Sequence, residues 1–296
     1  MPNPFAGFEE AIQENVPLAP LTWYKLGGPA RYLARPADPD QLAAIARICA
    51  QNGIRTLVLG LGANLLVADE GVDAAVIKLD APYWENFSAE KGRLFAGAGA
   101  DMQVVARSCV RGGLAGLECM AGIPGTIGGC VHGNAGGKFG EIGSSVVRIR
   151  MMNGNGQIID RDRHELDFSY RNSNITAPFI LSAEFELDEG NPDELVHQFK
   201  QIWMFKKNSQ PLNTKNAGCV FKNPIDAGMS AGALIDLAGL KGTRVGLAEV
   251  SEKHANFFVS HPGCTASEIL KLIELVKQKV AAVHGITLEE ELVLWK

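Results

Sequence analysis

Two glycine-rich segments contain residue types that could hold a ligand through the backbone. The first, Leu59–Leu66, follows a predicted strand and resembles the start of the dinucleotide fingerprint G-x-G-x-x-G. It fails at the third glycine, where Leu65 stands, and Leu65–Val67 predicts a strand where the fingerprint needs a helix. Consecutive N–H groups in such a turn can still bind a pyrophosphate, although an ordinary turn between strands explains this segment equally well.

The second segment, Ala121–Gly129, lies in a glycine belt, Gly112–Gly140, that contains eleven of the 33 glycines in the chain. The belt has no three-residue period, which excludes collagen, and it is too apolar for a disordered linker. Glycines stand on both sides of Pro124, more of them than a structural loop needs. This pattern favours a backbone that a flat or phosphorylated ligand can approach closely.

Composition excludes several functional classes. The net charge is −5 at pH 7 and the basic residues are scattered, whereas nucleic-acid binding needs a basic stripe. Met1–Glu10 lacks the basic and apolar regions of an export signal, and no window of 18 apolar residues predicts a membrane span. The six cysteines form no C-x-x-C pair and no zinc spacing. We therefore expect a cytoplasmic enzyme with reduced thiols, no metal, and no nucleic-acid or membrane partner.

Helical and extended segments alternate in the first part of the chain, which favours an α/β organisation. Asp38 is the predicted N-cap and Pro39 the first-turn residue of a helix over Asp40–Asn52. The other segments predicted in this part are a buried strand at Thr56–Gly60, strands at Ala74–Leu79 and Arg93–Ala96, and a helix at Met102–Arg111.

The later part of the chain contains a predicted hairpin and a predicted domain boundary. Asn153–Gly156 separates two extended runs, Val146–Met152 and Gln157–Asp160, which indicates an antiparallel pair. The strand predicted next, Phe179–Leu187, alternates between apolar and polar residues, and the polar segment Asp188–Asp193 is the predicted boundary. Beyond it we predict helices at Asp193–Lys207, Ala231–Gly239 and Glu268–His284, the last with a buried apolar stripe, and an extended segment at Gly218–Lys222.

Seven motifs in order resemble the flavin-dependent UDP-N-acetylenolpyruvoylglucosamine reductases of bacterial cell-wall synthesis. They span about nine tenths of the chain. The motifs are Thr22–Ala30, Leu59–Leu66, Gly116–Gly137, Phe168–Ser173, Asn216–Pro224, Val250–Phe257 and Leu288–Glu291.

The resemblance implies an α+β fold of the PCMH type (vanillyl-alcohol-oxidase-like), with two α/β lobes that bind FAD and a C-terminal α+β substrate domain. The implied ranges are 1–188 and 189–296, and the last strand, near 288–295, is a candidate to return to the first range. Only 48 residues separate Arg171 from Cys219, as in the shorter class of the family that lacks an inserted loop. The residues implied to contact FAD are Gly60, Leu61, Gly62, Ala63, Asn64, Leu65, Gly122, Ile123, Pro124, Gly125, Thr126, Gly128 and Gly129.

The family's reaction gives three residues implied catalytic roles. NADPH reduces FAD, and hydride then reaches the terminal carbon of the enolpyruvyl group, leaving carbanion character beside its carboxylate. Arg171 matches the arginine that grips this carboxylate, and Glu291 matches the glutamate that assists it. Cys219 stands where other members have a proton-donating serine, and a thiol is a far stronger acid than a hydroxyl.

Each of these residues also has an ordinary structural interpretation. Arg171 would then be a surface arginine, Cys219 a small buried residue, and Glu291 the end of a solvated glutamate run. The spacing Leu-Glu-x-Glu selects Glu291 from that run, although the tail Leu292–Lys296 departs from the basic, glycine-ended tail common in the family.

The resemblance also implies substrate-binding residues. Tyr170 would line the pocket, and Lys222 and Asn223 would meet the UDP diphosphate. The further candidates, Lys206 and Lys207, are equally well explained as lysines on a helix surface, and we assign no catalytic role to His132 or His254.

The sequence therefore predicts a monomeric NADPH-dependent flavoenzyme that reduces an enolpyruvyl UDP-sugar. Two alternatives stay open at this point. One is an FAD-dependent oxidase of the same fold that acts on another substrate, and the other is a catalytically silent protein that binds a nucleotide sugar.

Overall fold

The computed structural model describes residues 4–296, so the first three residues of Met1–Glu10 lie outside the described part. The helices are α1 (Pro39–Gln51), α2 (Pro82–Glu85), α3 (Met102–Arg111), α4 (Ile127–His132), α5 (Pro192–Ser209), α6 (Ala231–Leu237) and α7 (Ala266–His284). The strands are β1 (Ile12–Pro17), β2 (Pro29–Ala34), β3 (Thr56–Val58), β4 (Leu65–Val67), β5 (Val72–Ile77), β6 (Phe87–Glu90), β7 (Arg93–Gly97), β8 (Leu114–Ala115), β9 (Gly136–Gly137), β10 (Gly140–Glu141), β11 (Val146–Met152), β12 (Ile158–Asp162), β13 (Phe168–Ser169), β14 (Asn172–Ser173), β15 (Phe179–Glu186), β16 (Asp188–Glu189), β17 (Arg244–Val245), β18 (Ala248–Val250), β19 (Phe258–Ser260) and β20 (Val293–Trp295).

The chain divides into two compact units, each with its own hydrophobic core. The units are discontinuous: within the described residues the first contains 4–16, Arg31–Gly60 and Asp73–Phe205, and the second contains Pro17–Ala30, Leu61–Val72 and Lys206–Lys296.

This division differs from the predicted boundary between residues 188 and 189. The polar segment does not end the first unit, because the apolar side of α5 is buried in that unit's core through Leu195, Phe199 and Ile202. The assignment of FAD binding to residues 1–188 and of substrate binding to residues 189–296 stays a prediction.

Two sheets form the framework of the first unit. One has the strand order β1-β2-β5-β3, with β3 and β5 parallel, and the other is antiparallel with the order β12-β11-β15-β7-β6. The predicted hairpin is confirmed, and the Asn153 side chain holds its turn by accepting from the N–H groups of Asn155 and Gln157. The alternation predicted for Phe179–Leu187 is confirmed only in its second half, Glu184–Leu187, because Phe179–Ala183 is buried continuously where α4 packs against β15.

The predicted helices of the first unit are confirmed, and their capping shows why they begin where they do. Asp38 accepts a hydrogen bond from Gln41 N at the start of α1. Asp101 accepts from Gln103 N and Val104 N at the start of α3. The strand predicted at Thr56–Gly60 is confirmed as β3, but it is not buried, because 40% of Val58 is exposed.

The second unit combines α6 and α7 with the antiparallel sheet β17-β18-β19 and the parallel pair β20-β4. The predicted stripe of α7 is confirmed as core, and a capping box between Thr265 and Glu268 begins this helix. The last strand does pair with a strand from the predicted range 1–188, in the register Val293↔Leu65, but both strands belong to the second unit. Within residues 4–296, no helix is both long enough and apolar enough to cross a membrane.

Candidate active site

The two predicted glycine segments meet in the first unit at Gly60 and Thr126. A Cβ built on Gly60 would lie only 2.8 Å from Thr126 Oγ1, so a larger residue at position 60 would disturb this contact. Thr126 Oγ1 accepts from Gly129 N as the N-cap of α4, and Lys78 Nζ donates to the Gly60 carbonyl at 3.3 Å. The resemblance implies that both segments contact one cofactor. In the structure, Gly60 of the first segment and Thr126 of the second lie close together.

The loop between Met120 and Thr126 is held by Gln103, which lies outside the residues predicted to form the site. Its side-chain amide donates to the carbonyls of Met120 and Ile123 and accepts from Gly122 N at 2.9 Å. Nothing in the sequence distinguished Gln103 from an ordinary polar residue in the first turn of a helix.

The second glycine segment is not purely a loop, because its last residues form the start of α4. Gly128 lies against the antiparallel sheet, where an added Cβ would come within 3.0 Å of Ala98 Cβ. Gly125 has a φ of +159°, and a Cβ there would meet Cys130 Sγ at 2.7 Å. Part of the glycine surplus therefore serves close packing of helix, sheet and loop.

In the second unit, the segment Leu61–Leu65 lies beside the C-terminal strand. Asn64 Nδ2 donates to the Glu291 carbonyl at 3.0 Å, and Val293 N donates to the Asn64 carbonyl at 3.2 Å. Gly62 has a φ of +64°, and its carbonyl accepts from Trp23 N. Leu65 is buried in β4, so its side chain belongs to the packing of this unit.

Arg171 lies at the turn of the short hairpin β13-β14 in the first unit. Its φ of +53° is uncommon for a residue with a side chain and costs roughly 1 kcal/mol. Its guanidinium lies over the Tyr170 ring, and Nη2 donates to the Gly136 carbonyl at 2.8 Å. Strained backbone that the surroundings maintain is often found at functional sites, which favours a role for this arginine beyond the surface interpretation.

Cys219 and Glu291 are neighbours in the second unit. Glu291 N donates to the carbonyl of Val220, the residue after Cys219, at 2.8 Å. The predicted extended segment Gly218–Lys222 is confirmed in part, as isolated bridges that join Cys219 to Phe257 and Phe221 to Glu290. The structure thus places the implied proton donor one residue from the backbone partner of Glu291.

Asn256 hydrogen-bonds the backbone of Val220 and Phe221, the two residues that follow Cys219. Its side chain, 2% exposed, accepts from Phe221 N and donates to the Phe221 carbonyl, while its own carbonyl accepts from Val220 N. Asn256 lies in the motif Val250–Phe257, and its place in that motif is the only signal in the sequence that points to it.

Cys219 is half-buried, whereas the other five cysteines are buried, and all six lie within the described residues. Burial raises the pKa of Cys49 and Cys109 to about 11 and the pKa of Cys130 and Cys264 to about 12. The interpretation of Cys219 as a small core residue therefore fits its environment less well than it fits theirs.

The residues predicted to bind the substrate differ in their contacts and in their exposure to solvent. Lys222 Nζ pairs with Glu289, and Asn223 Oδ1 accepts from Ala231 N at the start of α6. Lys206 is 7% exposed, so the helix-surface interpretation does not hold for it, whereas Lys207 is exposed. Tyr170 is 39% exposed.

The family motifs contain two histidines, His132 and His254. Burial lowers the pKa of both side chains. Among residues 4–296, no three His, Cys, Asp or Glu side chains are grouped so that they could hold a metal ion.

Comparison with protein-family models first defines the class of protein. Residues 30–161 match the model "FAD binding domain", and residues 210–295 match "UDP-N-acetylenolpyruvoylglucosamine reductase, C-terminal domain". This is a flavin-binding protein of the predicted α+β class with a PCMH-type FAD-binding fold, and FAD is its cofactor.

Full-length comparisons then give the family. The UDP-N-acetylenolpyruvoylglucosamine reductase of Heliobacterium modesticaldum is 40% identical over 286 residues, which cover 96% of this chain and 90% of that protein. The protein of the same name from Magnetococcus marinus is 38% identical over 98% of this chain and 94% of its own. The solved structure of UDP-N-acetylenolpyruvylglucosamine reductase from Thermus caldophilus matches with a TM-score of 0.83 and 33% identity, over 96% of this chain and 99% of that one. The chain belongs to the UDP-N-acetylenolpyruvoylglucosamine reductase family.

Proposed function

We propose that this protein is an NADPH-dependent flavoenzyme that reduces the enolpyruvyl group of UDP-N-acetylglucosamine-enolpyruvate to give UDP-N-acetylmuramate, a step of peptidoglycan precursor synthesis. Family membership over nearly the whole chain supports the activity. The structural observation that carries the mechanism is the hydrogen bond from Glu291 N to the Val220 carbonyl, which joins the segments of two proposed catalytic residues.

Gly60 and the second glycine segment, both in the first unit, fit a role in binding FAD. Gly60 and Gly125 have no room for a side chain, and the 122–126 loop is held by Gln103 and by the bond from Met102 N to the Gly125 carbonyl. A rigid backbone without side chains can bring N–H groups close to a phosphate or a flat ring. When bound, FAD supplies the hydride, which it takes from NADPH.

Arg171 has the chemistry to grip the enolpyruvyl carboxylate. Its guanidinium is permanently charged, and its planar fork matches the two carboxylate oxygens. The bond to Gly136 and the ring of Tyr170 restrict its orientation. Charge that accumulates on the carboxylate oxygens during hydride transfer is then stabilised by a group that is already oriented.

Cys219 supplies the proton that completes the reduction, and Glu291 assists at the carboxylate. Hydride adds to the terminal carbon, the C=C bond becomes a single bond, and the thiol proton passes to the carbon beside the carboxylate. The thiolate that remains takes a proton from solvent, so the enzyme returns to its starting state. Lys222, Asn223 and Tyr170 are the proposed contacts to the rest of the substrate, with Lys206 and Lys207 as further candidates for the diphosphate.

Consumption of NADPH by the FAD-loaded protein, with and without the enolpyruvyl UDP-sugar, tests the proposed activity. We expect anaerobic NADPH to bleach the flavin and the UDP-sugar to restore its colour. If an alcohol or a sugar reduces the flavin and NADPH does not, the oxidase alternative is favoured. A protein that binds the UDP-sugar without any substrate-dependent rate would favour the silent binder.

We also propose that the protein works as a monomer in the cytoplasm and binds no nucleic acid. The net charge of −5 supports the last of these. Light scattering on a sizing column, with and without substrate, tests the oligomeric state, and a stable dimer mass would contradict it.

A further inference from the structure

The hairpin that carries Arg171 is too small to fix its own turn. Its strands contribute only two residue pairs, and the inner pair is Ser169↔Asn172. An isolated two-stranded hairpin is at best marginally stable in water. The left-handed backbone at Arg171 also persists only if the surroundings impose it. The turn must therefore be held from outside the hairpin.

Asn134 provides a buried contact that does this. Its side chain has no exposed surface, its Nδ2 donates to the Ser169 carbonyl at 2.9 Å, and its Oδ1 accepts from Gly143 N at 3.0 Å. The donor end of the amide meets a carbonyl and the acceptor end meets an N–H, so one orientation satisfies both partners. The φ of Asn134 is +43°, a conformation that asparagine adopts more readily than most residues.

Two further bonds run from the same segment of the glycine belt to the hairpin. Ser173 Oγ donates to the His132 carbonyl at 2.6 Å, and Arg171 Nη2 donates to the Gly136 carbonyl at 2.8 Å. Residues 132, 134 and 136 thus each bind a different hairpin residue. Asn134 is the member of this set whose side chain reaches the residue immediately before the turn.

We propose that Asn134 is a positioning residue for Arg171. Its buried amide fixes the Ser169 carbonyl and with it the turn that aims the guanidinium at the substrate carboxylate. This inference rests on the proposed function of Arg171 and assigns Asn134 no contact with substrate or cofactor.

The test is a double-mutant cycle on the FAD-loaded, full-length enzyme. Asn134→Gly removes both side-chain bonds and accommodates the positive φ, and it is made alone and together with Arg171→Ala. Flavin reduction by NADPH and flavin reoxidation by the enolpyruvyl UDP-sugar are measured separately by stopped flow. Asn155→Ala, an exposed asparagine in the turn between β11 and β12 of the same unit, is the matched control.

We expect Asn134→Gly to slow reoxidation about 30-fold, because small misplacement of a positioning group is costly. Flavin reduction should stay within about two-fold of wild type, and in the Arg171→Ala background the same change should slow reoxidation by no more than about two-fold. Equal slowing of both half-reactions, or equal slowing with and without Arg171, would overturn the proposal, because either result describes a general structural defect.

Two outcomes separate this inference from the proposed function. If Arg171→Ala slows reoxidation and Asn134→Gly does not, the role of Asn134 is wrong and that of Arg171 stands. If Arg171→Ala has no effect, the assignment of Arg171 fails and the role of Asn134 falls with it. If Asn134→Gly does not retain flavin, the same cycle is run with Asn134→Asp, which keeps an acceptor for Gly143 N and removes the donor to the Ser169 carbonyl, and it is judged by the same outcomes.

Discussion

The side-chain amide of Asn64 donates a hydrogen bond to the backbone carbonyl of Glu291 at 3.0 Å, although the two residues are 227 positions apart in the sequence. Sequence resemblance implied that Asn64 contacts FAD and that Glu291 acts on the substrate. Both lie in the second unit, where Val293 N also donates to the Asn64 carbonyl. A residue of the first glycine segment therefore holds the segment that carries a proposed catalytic group.

Asn64→Ala removes the side-chain bond and should loosen the segment around Glu291. We expect flavin reoxidation by the enolpyruvyl UDP-sugar to slow about five-fold, which corresponds to one hydrogen bond of about 1 kcal/mol. Stopped-flow rates and the flavin content of the purified variant are measured together, with the exposed Asn213→Ala as control. A variant with a lower flavin content, whose bound flavin reoxidises at the wild-type rate, would show that Asn64 serves the cofactor alone.

Cys219→Ala should separate the two half-reactions. The change lies outside both glycine segments, so flavin reduction by NADPH should persist. Turnover of the enolpyruvyl UDP-sugar should fall about 10³-fold, within the range that a positioned proton donor contributes. Cys219→Ser restores a donor of another acidity and is the matched comparison, from which we expect partial recovery. Turnover of Cys219→Ala close to wild type would remove Cys219 from the proton transfer.

Alkylation provides an independent prediction about the same thiol. Iodoacetamide reacts with the thiolate, and the other five cysteines are buried, four of them with pKa values raised by that burial. At pH 8 we expect a single modification, at Cys219, located by peptide mass spectrometry. Cys219→Ser should take up no label over the same time. Labelling at Cys49 or Cys264 at a comparable rate would contradict the burial found here.

Local signals in the sequence predict many elements of this fold correctly. The limits of α3 follow from its apolar spacing and the Gly112-Gly113 pair, and the β11-β12 hairpin follows from Asn153–Gly156. In both cases the residues that determine the structure are neighbours in the chain. The failed Rossmann fingerprint is also explained, since Leu65–Val67 is the strand β4 and not the start of a helix.

What the sequence could not predict depends on contacts between distant residues. The helix α4 forms despite its two glycines because Gly128 packs against Ala98, an example of tertiary contact overriding low helix propensity. The discontinuous second unit arises because β4 pairs with β20, and no local pattern records that pairing. The contacts of Asn134 could not be predicted for a similar reason, since its partners Ser169 and Gly143 are 35 and 9 residues away in the sequence.

The start of α7 is bound by Asp69, and this contact leads to a prediction about pH. Asp69 Oδ1 accepts from Ala266 N at 2.8 Å, and Oδ2 accepts from the backbone N–H and the hydroxyl of Ser267. Partial desolvation acts to raise the pKa of Asp69, but the hydrogen bonds from Ser267 and Ala266 outweigh it and hold the pKa below its ordinary value. The charged carboxylate is therefore favoured in the folded state.

A carboxyl group whose pKa is lower in the folded state stabilises the protein above its unfolded pKa, and this contribution disappears as the pH falls through the folded pKa. Asp69→Asn should therefore lower the free energy of unfolding at pH 7 by about 1 kcal/mol, a modest value because Asp69 is exposed and solvent screens its charge. The difference from wild type should shrink progressively below pH 4. Urea unfolding of both proteins at several pH values measures it, with Asp73→Asn, an exposed ion-pair residue, as control. A deficit that stays constant from pH 7 to acid would show that the shape of the amide matters at this helix end and the charge does not.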